Sequence, residues 1–159
     1  MTTATYRNYS TLASLNPLKR HVFYTGKPLG SGKIDKTPLN PSNGFNASNT
    51  NAATWGSHAD AKERARAIRN PGWKPGVGVM LGPLDHDVAL CGVDLDGCLK
   101  DGVLEPWGEA VADLLNTYAE VSPGGNGVKA FFRATLSDLA AFREETSINH
   151  KGYIRDGRV

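Results

Sequence analysis

The stretch Leu90-Cys91-Gly92-Val93-Asp94-Leu95-Asp96-Gly97-Cys98 decides how this chain is read. An apolar run carries two aspartates two residues apart and then breaks at glycine. Residues i and i+2 of a β-strand point to one face, so Asp94 and Asp96 are expected side by side at a strand end while Val93 and Leu95 enter the core. Two carboxylates that close repel each other, and burying them unpaired is costly or raises their pKa values. A divalent cation removes that penalty, because Mg²⁺ and Mn²⁺ take hard oxygen ligands and keep positions for phosphate. Taken alone, the pair also fits a solvated strand end or turn.

Working outward, Gly76 to Leu81 reads as a strand, Gly82-Pro83 turns the chain, and Ala89 to Asp96 follows as an expected neighbour in the same sheet. His21 to Tyr24 is a short apolar-aromatic strand. Thr54 or Ser57 caps a helix running to about Arg69, which Asn70-Pro71-Gly72 stops. Pro106 suits the first turn of a helix over about Trp107 to Tyr118, with Ala110, Val111, Leu114, Leu115 and Tyr118 on its apolar face. Val128 to Ala134 is a further strand, Ser137 to Glu145 a short helix, and Tyr153 to Val159 the start of a last strand. Interleaved strands and helices give the class α/β or α+β.

With 159 residues the chain is expected to form one domain with a genuine core, preceded by a polar tail over residues 1–16. It is 40% hydrophobic and 21% charged, ordinary values for a soluble globular protein. The formal charge of +2, with no dense basic run, permits nucleic-acid binding without requiring it. With no apolar run of about twenty residues and no signal-peptide pattern, the expectation is a cytoplasmic location and no membrane partner. Cys91 and Cys98 read as reduced core thiols, since no second pair completes a zinc site. His21, His58, His86 and His150 show no ligand spacing. Gly26 to Asn51 is loop chemistry, long enough to be functional. Within it Gly30-Ser31-Gly32-Lys33 is not a Walker loop, which needs glycine where Lys27 stands and Ser or Thr where Ile34 stands.

The second informative stretch is Glu120-Val121-Ser122-Pro123-Gly124-Gly125-Asn126-Gly127-Val128-Lys129. A glycine-rich turn led by serine can turn backbone N–H groups toward an anion, and Lys129 adds a point charge for phosphate. By itself this is also a plain loop-to-strand connection. After an Asp-x-Asp strand it supplies the other half of a metal–triphosphate site.

Taken in order, Asp35-Lys36-Thr37-Pro38, Asn49 to Trp55, Gly76-Val77-Gly78-Val79-Met80-Leu81, Val93-Asp94-Leu95-Asp96 and Glu120 to Gly127 resemble the phage and plasmid primase–polymerases. These are the bifunctional N-terminal domains of the archaeo-eukaryotic primase superfamily. The resemblance spans about residues 17 to 134 and implies a mixed sheet flanked by helices, with the domain running over residues 17–159. It implies that Asp94 and Asp96 are the metal-binding pair for Mg²⁺ or Mn²⁺. It also implies that Ser122, Gly125, Gly127 and Lys129 contact the nucleotide's phosphates. Lys129 stands where histidine is frequent, and Gly124 where serine is common. The family's third motif adds a late carboxylate, for which Asp156 is the candidate, and the chain reads as a truncated or stand-alone form ending close to it. The implied activity is two-metal nucleotidyl transfer from nucleoside triphosphates on a DNA template, as primer synthesis or polymerisation, with a helicase as partner in trans. Lys33, Lys36 and Arg133 are candidates for template or phosphate contacts, or are solvated surface charge. Trp55 and Trp73 either stack bases or belong to the core.

Two other classes compete. One is a primase-like module that binds nucleic acid, nucleotide or a protein without chemistry. The other is a haloacid-dehalogenase-like phosphatase, since Val93-Asp94-Leu95-Asp96-Gly97-Cys98-Leu99 mimics that signature. In those enzymes the motif sits near the N-terminus, threonine stands where this chain has Cys98, and an acidic pair follows.

Overall fold

The structure is a computed structural model that describes residues 10–146, so Asp156 and the expected strand from Tyr153 to Val159 lie outside the described residues. The chain divides into two compact units, Ser10–Met80 and the segment from Leu81 onward.

In the first unit, β1 (His21–Tyr24) finds its partner far along the chain, pairing antiparallel with β2 (Gly76–Val79), His21 opposite Val79 and Tyr24 opposite Gly76. Alternation sends Phe23 and Val22 to opposite faces. Phe23 packs on Ala61 and Ala65 of α1 (His58–Ala67), with Leu39, Ile68 and Val77 around them, while Val22 packs with Ala47, Met80 and Trp55. Small residues at 61 and 65 let the helix approach the strands closely. The helix starts at Ser57, whose Oγ accepts from the Asp60 N–H at 3.1 Å and donates to Asp60 Oδ2 at 2.6 Å, the expected cap. The long segment between β1 and α1 is tied back by bridges Phe23–Leu39, Leu39–Asn46, Pro28–Ile34 and His21–Gly56. Ser10–Leu15, inside the expected polar tail, is a 3-10 turn that buries Leu15.

The second unit holds β3 (Gly82–Pro83), β4 (Val88–Leu95), β5 (Leu99–Lys100), β6 (Val103–Leu104), α2 (Pro106–Leu115), β7 (Tyr118–Val121), β8 (Val128–Thr135) and α3 (Leu136–Thr146). Its main sheet has the order β3-β4-β8-β7 with every pairing antiparallel. Val93, Leu95, Val128 and Ala119 pack with Val111 of α2, and Ala89, Cys91 and Ala134 with Leu139 of α3. Cys91 and Cys98 are buried free thiols. The β5–β6 hairpin turns on Asp101 and Gly102, both at positive φ (52° and 77°), the Asp-Gly turn that matches strand twist. The class is α+β.

Two expectations fail. The strands at 76–79 and 88–95 do not pair in one sheet. Neighbouring elements pair often, but here β8 offers β4 eight consecutive partners, Val88–Thr135 to Leu95–Val128. Meanwhile the Met80 N–H donates to Arg20 O at 2.8 Å, carrying the β1 edge past β2. The helix expected to reach Tyr118 stops at Leu115. Asn116 adopts the left-handed conformation (φ 42°) and donates its N–H to Ala112 O, and Tyr118 begins a strand. The buried side of α2 is accordingly centred on Gly108 and Val111, and Leu114 is 85% exposed. Gly108 allows the approach, since a Cβ there would stand 2.7 Å from Cys98 Cβ.

Candidate functional site

Along β4, Ala89, Cys91, Val93 and Leu95 face the helices, so Asp94 emerges on the other side of the sheet. Opposite Asp94 is Lys129 of β8, and opposite Lys129 is Glu120 of β7. The three side chains form one cross-strand row, acid–base–acid. The Lys129 ammonium donates to Asp94 Oδ2 in an ion pair whose side chains are 28% and 49% exposed. At the far end of the row, Tyr118 Oη donates to Glu120 Oε2 at 2.9 Å. Burial, reinforced by that carboxylate, pushes the Tyr118 phenol up to about 12.

Asp96 lies one residue beyond the strand, in an exposed turn that Gly97 completes at φ +72°. The turn, not the strand pleat, therefore sets the direction of its carboxylate, which corrects the expectation of two strand side chains in parallel. Both aspartates remain exposed at the same sheet end.

Ser122–Gly127 is the hairpin loop joining β7 to β8, closed by Ser122 N–H to Gly127 O and Gly125 N–H to Ser122 O, each at 2.8 Å. Ser122 is buried and Gly125 has φ +80°. Gly127 lies against the end of β4: a Cβ there would stand 2.8 Å from Leu95 O and 3.4 Å from Asp96 Cα. The Leu99 N–H donates to Asn126 O at 3.1 Å, fixing the loop to the segment after Asp96.

The fold thus gathers Asp94, Asp96, Lys129 and the Ser122–Gly127 loop at one sheet end. Arg133 is exposed on the same strand face four residues beyond Lys129, about 13 Å away at strand rise. Lys33 and Lys36 are exposed in the other unit, where the Leu29 N–H donates to Lys33 O at 2.7 Å and the Asp35 N–H to Lys27 O at 2.8 Å. Glu120 was missed as a site residue. The alternation of Tyr118-Ala119-Glu120-Val121 carries its signal, but Tyr118 also fits the period of the preceding helix. Trp55 is core: its indole Nε1 donates to Ser48 O at 2.6 Å and its ring lies under the Arg20 guanidinium.

Among the described residues no group of three His, Cys, Asp or Glu side chains could hold a metal ion. Asp94 and Glu120 are two strands apart, about 10 Å, too far to share one ion. Asp94 and Asp96 are exposed hard-oxygen donors, the chemistry by which Mg²⁺ is commonly held through one or two carboxylates plus substrate.

The chain is similar to the DNA primase-polymerase of Nitratiruptor phage NrS-1. The two are 31% identical over 124 residues, 77% of this chain and 15% of the relative, so the chain spans a small part of that protein's length. No protein-family model matches the sequence. No helix among the described residues is long and apolar enough to cross a membrane.

Proposed function

We propose that this chain carries a primase–polymerase-type nucleotidyl-transfer site, acting on nucleoside triphosphates and DNA with Mg²⁺ or Mn²⁺. The observation that carries the reading is the seating of the Gly127 backbone against Leu95 and Asp96, with Lys129 on Asp94. A glycine loop and a cation that lie beside Asp94 and Asp96 support a reading in which phosphate and metal meet there. The partial similarity to a phage primase-polymerase supports the same reading.

Asp94 and Asp96 hold the divalent ion, whose chemistry when bound is to neutralise the triphosphate and activate the attacking 3′-hydroxyl. The Ser122–Gly127 loop orients the phosphates through its backbone, and the rigid hairpin keeps that geometry in place before substrate arrives. Lys129 leaves Asp94 for the triphosphate, exchanging one anionic partner for another at the same strand position. Lys129 serves there as a point charge that binds phosphate.

A second reading is a primase-like module that binds nucleotide or nucleic acid without chemistry. It is favoured by the ion pair between Lys129 and Asp94, which engages one of the two candidate metal-binding carboxylates.

Template-dependent incorporation of labelled nucleotides, with and without primer and in Mg²⁺ and Mn²⁺, separates the two. Incorporation that disappears in an Asp94→Ala/Asp96→Ala variant supports the catalytic reading. Metal-dependent nucleotide binding without incorporation by folded protein supports the module.

A further inference from the structure

The division into two units exposes a charge asymmetry that the whole-chain total of +2 conceals. Residues 10–80 contain ten Lys and Arg against three Asp and Glu, a formal +7, and the rest of the chain contains eight against thirteen, a formal −5. The carboxylate site belongs to the acidic part. Nine of the ten cations in the basic unit are exposed, Arg20 being the buried one.

The same unit displays an aromatic ring that its core does not use. Phe45 is 74% exposed, the most exposed aromatic among the large hydrophobic residues at the surface of the described chain. It sits on a tightly braced loop. The Asn40 N–H donates to Phe45 O and the Gly44 N–H to Asn40 O, both at 2.8 Å. The side chain of buried Asn40 accepts from the Ser42 N–H at 2.8 Å, and Asn43 Oδ1 accepts from the Phe45 N–H at 3.0 Å. From α1, Arg64 Nε donates to Pro41 O at 2.7 Å and Nη2 to Ser42 O at 3.0 Å. These bonds fix the base of the loop, where Phe45 closes it against Asn40 and leaves its phenyl ring exposed. On α1, which anchors the loop, Lys62 and Arg66 are exposed one turn apart.

We infer that the Ser10–Met80 unit is a single-strand nucleic-acid-binding surface in its own right, with Phe45 as a preformed platform on which a base stacks and the unit's exposed cations holding the backbone. Excess positive charge with a presented aromatic is the combination that sequence-tolerant single-strand binding requires: cations follow the phosphates and π-faces accept any base. A rigid platform avoids ordering cost on binding. The charge complementarity selects a polyanion over an apolar protein partner. The inference takes its ligand class from the proposed function but rests on residues of the other unit.

The test is fluorescence anisotropy of labelled oligo(dT), and in parallel oligo(U), titrated with the whole chain in the absence of metal and nucleotide. Wild type is expected to bind with an affinity that falls steeply with salt. Phe45→Ala should weaken binding on the order of tenfold without changing the salt slope, since it removes stacking but no charge. Phe45→Trp should restore or strengthen it. Equal binding by wild type and Phe45→Ala, or no salt-dependent binding by wild type, overturns the inference. Circular dichroism checks that each variant is folded, which exposure of the ring favours. An Asp94→Ala/Asp96→Ala variant retains this binding whether or not the chain is an enzyme, so failure of the catalytic reading and failure of this one are told apart. Preference for one oligonucleotide over the other decides between DNA and RNA as the strand.

Discussion

Lys129 spends its charge on Asp94. The two face each other across β4 and β8, so a cation of the protein itself occupies the carboxylate that the proposed function assigns to metal. Removing it should therefore have opposite effects on two ligands. Lys129→Met is expected to tighten Mn²⁺ binding by about two- to fivefold, the range of a partly exposed ion pair, while weakening triphosphate binding. Isothermal titration of each ligand separately measures both. Loss of affinity for both would mean that Lys129 does not compete with the metal.

The exposure of both aspartates has a consequence for stability. Neither Asp96→Asn nor Asp94→Asn should change metal-free stability by more than about 1 kcal/mol, because an exposed carboxylate and a half-exposed ion pair contribute little. Both should abolish Mn²⁺-dependent nucleotide binding. Denaturant unfolding beside a nucleotide titration checks the separation, and a large stability loss in either variant would assign the carboxylates to the framework.

Gly127 gives the loop its contact with β4. A methyl group there meets the Leu95 carbonyl, a backbone atom that cannot swing aside. Gly127→Ala should cost about 1–3 kcal/mol and push the Ser122–Gly127 loop from Asp96, lowering nucleotide affinity as well. Gly125→Ala, strained only by its positive φ, should cost nearer to about 1 kcal/mol. Thermal melts of the two variants side by side rank them.

His21 ties stability to pH. Burial lowers its pKa; the Leu18 carbonyl accepting from Nδ1 opposes that shift, and His58 and Arg20 add to it. The unfolded chain then takes up a proton near the ordinary value of 6.5 while the folded chain does not. Stability from this source is complete above that value and is lost as pH falls below it. The melting temperature should hold between about pH 8 and 7 and decline toward pH 5. The His21→Asn variant should decline less. An equal decline in both would remove His21 as the cause.

Sequence reading locates the carboxylate pair, the glycine loop, the helix capped at Thr54 or Ser57 and the strands at 21–24 and 128–134, because each is a local matter of side-chain period, cap chemistry or turn residues. It could not locate what depends on partners distant in the chain. The pairing of β1 with β2, and of β4 with β8 instead of with the preceding strand, is settled by which edges match in length and apolar face. No window of sequence contains both members. The end of α2 at Asn116, and with it the strand that brings Glu120 beside Lys129, escaped for a related reason: Tyr118 fits a helical period as well as a strand, and only packing on Phe131 chooses. The sequence by itself determined that two carboxylates stand two residues apart and that a serine-led glycine loop followed by lysine comes after them. The tertiary structure alone decided that Lys129 stands on Asp94 and that Gly127 lies against Asp96. Each of these is a relation between segments, set by how the strands close and not by what any one segment contains.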